Sequence, residues 1–269
     1  AMLAFYDAFT SPETGTVSIA VEYMRGGSLQ DHIDAKRRLG ERFLASLARQ
    51  ALEGLKFLHD RKHIHRDIKP ANLLISATGE VKVSDFGIAR ELESTGMQAR
   101  TFVGTLMFMA PERIGNQGYS YQSDVWSLGL SVLTAALGKF PFSAKSGYWG
   151  LARVIRSEEP RMLPEPQWPA AMNDFLRQCL TKDPERRPGA AELLSHPWIA
   201  SAAPPAPPPP LSVLTAAEES MTVERSILPN LLPDAHAYAR EHALEERKAD
   251  GRAAGAGAAS AATASPPRP

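Results

Sequence analysis

The sequence predicts an α+β fold in which a short β-hairpin precedes a mostly helical lobe. Residues 2–9 and 16–24 are apolar runs containing aromatics, and the Ser-Pro-Glu-Thr-Gly between them has turn composition, the pattern of a hairpin. Residues 41–59 set Phe43, Leu44, Leu47, Ala48, Ala51, Leu52, Leu55 and Leu58 at 3.6-residue spacing, which is one apolar face of a helix. Residues 121–138 are apolar on almost every side, as in a helix buried all round.

The remaining elements follow in order. Gly26 and Gly27 end the second strand, and Ser28 caps a short helix. Residues 63–83 alternate short apolar runs with polar breaks, the reading of small strands and a loop. Residues 169–182 and 189–195 are two more helices, each preceded by proline. After residue 200 the composition changes. Residues 201–210 form a polyproline linker, read as a passive spacer because no basic anchor flanks it. Residues 234–249 suit a charged helix capped by Asp234, and residues 250–269 hold only residues that cannot build a core, so disorder is expected there. The expected organisation is residues 1–25, then a lobe over 26–200, then a largely disordered Pro/Ala-rich tail over 201–269.

Bulk properties narrow the function classes. Hydrophobic residues at 43% and charged residues at 22% suit a soluble protein with a sizeable core. Thirty basic residues balance thirty acidic ones, so the charge calls for neither nucleic acid nor an anionic membrane as partner. A single cysteine, Cys179, excludes an internal disulfide and points to a reducing compartment, the cytoplasm. The run Leu128 to Gly138 is too short to cross a bilayer, and no secretory signal is expected.

The chemistry sits in three motifs: His65-Arg66-Asp67-Ile68-Lys69-Pro70-Ala71-Asn72, then Asp85-Phe86-Gly87, then Ala110-Pro111-Glu112. Together they specify eleven residues in fixed order, and a chance match at one register is on the order of 10⁻¹⁴. In these motifs residues 1–200 resemble the protein kinase family. The resemblance implies a protein-kinase-like fold, mainly its helical C-terminal lobe, with residues 1–25 a remnant of the N-terminal lobe.

Phosphoryl transfer needs an oriented hydroxyl and neutralised phosphate charge, and the motifs supply both. Asp67 would accept or orient the substrate hydroxyl's proton, and Lys69 would set a cation near the transferred phosphoryl. Asn72 and Asp85 offer the hard oxygens that Mg²⁺ prefers. A lone Asp-x-Lys would be read as a surface ion pair; the full set overrides that. The spacing His59-x3-His63-x-His65 has no cysteine or carboxylate completing it, so zinc is rejected.

By resemblance His65 packs with Phe86 in the kinase interior, Leu74 is a floor for the adenine of ATP, and Val21, Glu22 and Met24 line the same nucleotide. Leu74 is equally what a buried strand would contain. Arg66 would form a cationic pocket satisfied by phosphate on the loop from Asp85 to Glu112. Asp124 can accept backbone N–H groups of the catalytic loop. Arg187 is implied to pair with Glu112, a scaffold role without chemistry.

Lys69 is the pattern of Ser/Thr and dual-specificity kinases. Finer resemblance to mitogen-activated protein (MAP) kinase kinases lies in Tyr23-Met24-Arg25-Gly26-Gly27-Ser28-Leu29, Phe102-Val103-Gly104-Thr105 and Met109-Ala110-Pro111-Glu112-Arg113-Ile114, and in Ser123-Asp124-Val125-Trp126-Ser127. Family members mostly carry Ser where Ala110 stands. Thr95 and Thr101, separated by five residues, match the plant-type loop; the animal-type spacing would need a hydroxyl where Met97 stands. Ser94 rivals Thr95 as the outer phosphorylation site. The implied cofactors are ATP and Mg²⁺, and the implied partners are a downstream protein kinase as substrate and an upstream activating kinase. Two readings stay open beside this one: another Ser/Thr kinase of the same broad group, and a non-catalytic interaction protein.

No Gly-x-Gly-x-x-Gly occurs in the chain, and no strand lysine with a helix glutamate precedes the hairpin. The expectation from sequence is an N-terminally truncated kinase that is inactive as it stands, with its hairpin poorly held.

Overall fold

The computed structural model describes residues 2–11, 16–85, 106–115, 118–143 and 147–202. The expectations for the linker, the charged helix and the tail beyond residue 202 fall outside these residues. The described chain divides into two compact units, residues 4–22 and a lobe made of residues 2–3 and 23–202.

In the smaller unit, strand β1 (Phe5–Ser11) pairs antiparallel with β2 (Thr16–Val21). The register runs from Phe5↔Val21 to Ser11↔Thr16 and shifts between Phe5 and Asp7. Past the last pair, Glu22 N donates to Ala4 O at 2.9 Å and Ala4 N donates to Glu22 Oε2 at 3.3 Å. Tyr6 and Phe9 of this hairpin are exposed, at 67% and 58%.

The lobe begins with a glycine clamp. Gly26 N donates to Ile75 O, and Ile75 N donates to Gly27 O, each at 2.8 Å. A Cβ on Gly26 would stand 2.6 Å from Ile75 O, a backbone atom that cannot move aside, and Gly27 has a φ of 72°. Helix α1 (Leu29–Asp34) then starts at Ser28, whose Oγ accepts from Asp31 N while Asp31 Oδ2 accepts from Ser28 N, a reciprocal cap.

Helix α2 (Glu41–Asp60) buries Leu44, Leu47, Ala48, Ala51, Leu52, Leu55 and Leu58 on one face. Each buried leucine contributes roughly 2 kcal/mol by removal from water, so packing of this stripe, rather than propensity, holds the helix. Its outer face carries the exposed i,i+4 pairs Arg49–Glu53 and Lys56–Asp60. A tight ribbon follows, β3 (Leu73–Ile75) antiparallel to β4 (Val81–Val83), with Leu73 opposite Val83. Gln50 of α2 ties the ribbon down, accepting from Val81 N at 2.9 Å and donating to Gly79 O at 3.2 Å.

Helix α3 (Pro111–Ile114) has proline at its first turn. Helix α4 (Tyr121–Leu137) is the centre of the lobe, with Val125, Trp126, Leu128, Leu130, Val132 and Leu133 all buried. Its Ser127, Ser131 and Thr134 hydroxyls donate to carbonyls one turn back, which lets polar residues sit in the interior. Gly138, at a φ of 66°, ends it.

Helix α5 (Gly147–Ser157) was not expected from the sequence. Tyr148-Trp149-Gly150 at its start has poor helix propensity, and only Leu151, Ala152 and Ile155 are buried. Lys182 completes its end by donating to Ile155 O and Glu158 O. Helices α6 (Ala170–Cys179) and α7 (Ala190–Leu193) are shorter than the predicted 169–182 and 189–195, and α8 (Pro197–Ala200) follows. Trp198 fastens α8 to the start of α2 through Nε1 donating to Glu41 Oε1 at 2.7 Å.

Candidate active site

The site is built on the loop between α2 and β3, and Asp124 organises that loop from below. Asp124 lies in the first turn of α4 and is 1% exposed. Its Oδ2 accepts from His65 N and its Oδ1 from Arg66 N, both at 2.9 Å. A third donor, His59 Nε2 at the end of α2, reaches Oδ2 at 2.9 Å. These bonds hold Arg66 at a φ of 72°, in the left-handed region. That conformation costs about 1–2 kcal/mol for a side-chain-bearing residue, so it persists only where the surroundings impose it.

His65 is 1% exposed and neutral. Burial lowers its pKa more than Asp124 raises it. Asp67 N donates to Nδ1 at 3.3 Å, which leaves Nε2–H to donate to Ser84 O at 2.9 Å. The ring thereby links the loop to the end of β4.

Asp67 comes next and remains partly open to solvent. Lys69 Nζ donates to its Oδ2 at 2.6 Å. Asn72 Nδ2 donates to the Asp67 carbonyl at 2.7 Å and to Oδ2 at 3.0 Å. Asn72 sits in a 3-10 turn, Pro70–Asn72, directly before β3. The ribbon continues past the Leu73–Val83 pair, since Ser84 N donates to Asn72 O at 3.0 Å. Asp85 therefore emerges beside Asn72, with a left-handed φ of 59°. One carboxylate is thus gripped by a lysine and an amide, and a second stands at the adjacent register.

The chain from residue 1 to residue 199 matches the family model described as the protein kinase domain. The chain belongs to the protein kinase family. It is 45% identical over 199 residues to mitogen-activated protein kinase kinase 3 of Arabidopsis thaliana, covering 74% of this chain and 38% of that protein. It is 44% identical over 194 residues to mitogen-activated protein kinase kinase SIPKK of Nicotiana tabacum, covering 70% and 54%. The MAP kinase kinase MKK1/SSP32 of Saccharomyces cerevisiae is 40% identical over 211 residues, covering 74% and 41%. The chain thus spans 38% to 54% of the length of these relatives.

The ion pair below the kinase's site is bidentate. Arg187 donates from Nη1 to Glu112 Oε1 at 2.8 Å and from Nη2 to Oε2 at 3.0 Å. Its Nε bonds Thr181 O, and its remaining donors bond Gln122 O and Lys182 O. Burial opposes ionisation of Glu112, yet the Arg187 bonds and charge, with Ser123, outweigh it and hold the carboxyl below its usual range. Arg66 points its guanidinium at Tyr119, 4.9 Å from the ring centre, and Arg113 stacks on the same ring at 3.0 Å. Arg66, Asp67, Met109, Ala110, Arg113 and Tyr119 line one cavity of the lobe.

The other sequence-expected residues divide by position. Val21 and Glu22 lie in the hairpin unit, whereas Met24 and the half-buried Leu74 lie in the lobe. Phe86, Ser94, Thr95 and Thr101 lie outside the described residues. His59, Ser84 and Tyr119 were missed. The partners Asp124 of His59, His65 of Ser84 and Arg66 of Tyr119 are remote in sequence, and these residue types carry no local mark of such a contact. The donor set suits Mg²⁺. Asn72 Nδ2 is committed to Asp67, so of this amide it is the oxygen that would serve a cation, and Asp85 adds a carboxylate. Among the described residues no cluster of three acidic, histidine or cysteine ligands occurs. A Mg²⁺ ion that shares its shell with phosphates and water needs only one or two protein oxygens.

Proposed function

We propose that the protein containing this chain is a MAP kinase kinase. It transfers the γ-phosphoryl of ATP to Ser or Thr hydroxyls, with Tyr hydroxyls as a further acceptor, of a downstream protein kinase. The observation that carries the reading is Asp67 held by Lys69 and Asn72 on a strained, Asp124-anchored loop. The names of the relatives narrow the class.

In the reaction the substrate oxygen bonds to the γ-phosphorus as the bond to ADP breaks, and the hydroxyl proton passes to an Asp67 oxygen. Asn72 fixes the rotamer of Asp67, and Lys69 brings a cation beside the phosphoryl oxygens as charge moves. Asn72 and Asp85 would hold Mg²⁺, which when bound supplies neutralisation of phosphate charge. Leu74 and Met24 would contact the nucleotide base. Arg66 would pair with a phosphate that an upstream kinase places on Thr101 and on Thr95 or Ser94. A cytoplasmic location, with neither nucleic acid nor membrane as partner, belongs to the same proposal.

The test uses the full-length protein, an activating kinase, Mg-ATP and a catalytically dead MAP kinase. Wild type should phosphorylate the MAP kinase after activation, and the Thr95→Ala, Thr101→Ala protein should not respond. Transfer to generic Ser/Thr peptides but to no MAP kinase would refute this substrate class. Full activation of the double-alanine protein would place the switch elsewhere.

A further inference from the structure

We propose that His32 is a positioning residue for the nucleotide, pinning through the Gly26 carbonyl the peptide that holds Met24 in place beside Leu74. The effect on ATP rests on the kinase reading above. The structural part stands without it.

His32 lies in α1 and is fully buried. A helical side chain leans toward the start of its helix. That direction brings Nε2 to 2.9 Å from Gly26 O, six residues earlier. A carbonyl only accepts, so Nε2 carries the proton. Nδ1 is buried and has no hydrogen-bond partner among the described residues. A second proton would put a charge and an unmet N–H in the same dry place. Burial lowers the pKa more than the Gly26 carbonyl and Asp31 raise it, so the ring is neutral. An apolar side chain would fill this space without leaving a polar atom unmet. The bond to Gly26 is what the imidazole adds.

That bond falls on a peptide with few other constraints. Gly26 O and Gly27 N belong to one planar unit. Gly27 N donates to Met24 O at 3.0 Å, and Gly26 O accepts from His32, so the unit is held at both poles. Glycine on either side puts no Cβ in the way of rotation, and Gly27 stands at a φ of 72°. The anchors to β3, Gly26 N to Ile75 O and Ile75 N to Gly27 O, lie just outside the unit, which can turn between them. Beyond them Ser28 bridges Leu74, one of the two residues assigned to the base. Met24, the other, meets the unit through its carbonyl. The reciprocal cap between Ser28 and Asp31 fixes the start of α1, so His32 acts from a firm base.

Two substitutions separate the hydrogen bond from the packing. His32→Phe keeps a buried ring and removes the donor. His32→Gln loses the ring and keeps an N–H near the Nε2 position. In the full-length protein, His32→Phe should raise amide exchange at Gly27 about tenfold, and His32→Gln should restore most of the protection. His32→Phe should also weaken Mg-ATP binding about tenfold, with the single-turnover rate at saturating ATP within about twofold of wild type. His32→Gln should recover most of the affinity.

Wild-type exchange at Gly27 in His32→Phe would overturn the proposal, and so would equal impairment by Phe and Gln, which marks packing alone. Unchanged ATP affinity in His32→Phe would overturn the role toward the nucleotide. If His32→Phe does not fold, the ¹⁵N spectrum of the wild-type imidazole decides. A neutral ring protonated at Nε2 supports the proposal, and any other state overturns it. A wild-type protein that binds no ATP would refute the kinase reading, while exchange at Gly27 would still settle what His32 holds.

Discussion

Arg187 shows how a single side chain can hold a lobe together without touching the chemistry. A guanidinium has five N–H donors, and here each one meets an acceptor within 3.2 Å. Lysine carries the same charge but presents three donors from one point and cannot reproduce the fork. Arg187→Lys should therefore destabilise the lobe by about 3 kcal/mol, read as a lower midpoint in denaturant at unchanged slope. A variant as stable as wild type would show that charge, not the fork, is what matters. The pair was legible only through family resemblance, because Glu112 and Arg187 are 75 residues apart and nothing local links them. The same holds for His59, 65 residues from its carboxylate partner. Asp67, Lys69 and Asn72 were legible for the opposite reason. They sit within six residues of one another, and their spacing in sequence is their spacing in space.

Among the elements, helix α4 meets α6 at Gly129. A Cβ there would stand 2.4 Å from Cys179 Cβ. Real atoms do not approach so closely, so the two helices must part for any side chain at 129. Gly129→Ala should cost about 2 kcal/mol by overpacking, measured as a loss of thermal stability. Adding Cys179→Ala should not rescue it, since the clash is with the Cβ that alanine retains. A stable Gly129→Ala protein would mean that the α4–α6 spacing is looser than described. Helix α2 was readable from sequence because one face is buried and the other charged, and α4 because it is buried throughout. Helix α5 was not readable. Its exposed Trp149 and its two glycines dilute a buried set of three residues, and it borrows its C-terminal cap from Lys182, distant in the chain.

Across the whole molecule, the lobe carries the loop between α2 and β3, the carboxylates of Asp67 and Asp85 and the Glu112–Arg187 ion pair. The hairpin carries Val21 and Glu22 in a unit of its own. The sequence motifs name candidate reacting groups because chemistry restricts which residues can stand there. They say little about the strain at Arg66 and Asp85, since a left-handed φ at a non-glycine residue is imposed by tertiary bonds. The loop threonines that would regulate the site lie outside the described residues. The base assignment, by contrast, is open to direct test. The decisive measurement is single-turnover phosphoryl transfer by the activated full-length protein, comparing wild type with Asp67→Asn. Asparagine keeps the size and loses the proton acceptor, so the rate should fall about a thousandfold or more, some 4 kcal/mol of barrier, with nucleotide affinity retained. A rate within a fewfold of wild type would contradict the assignment of Asp67 as the group that receives the hydroxyl proton.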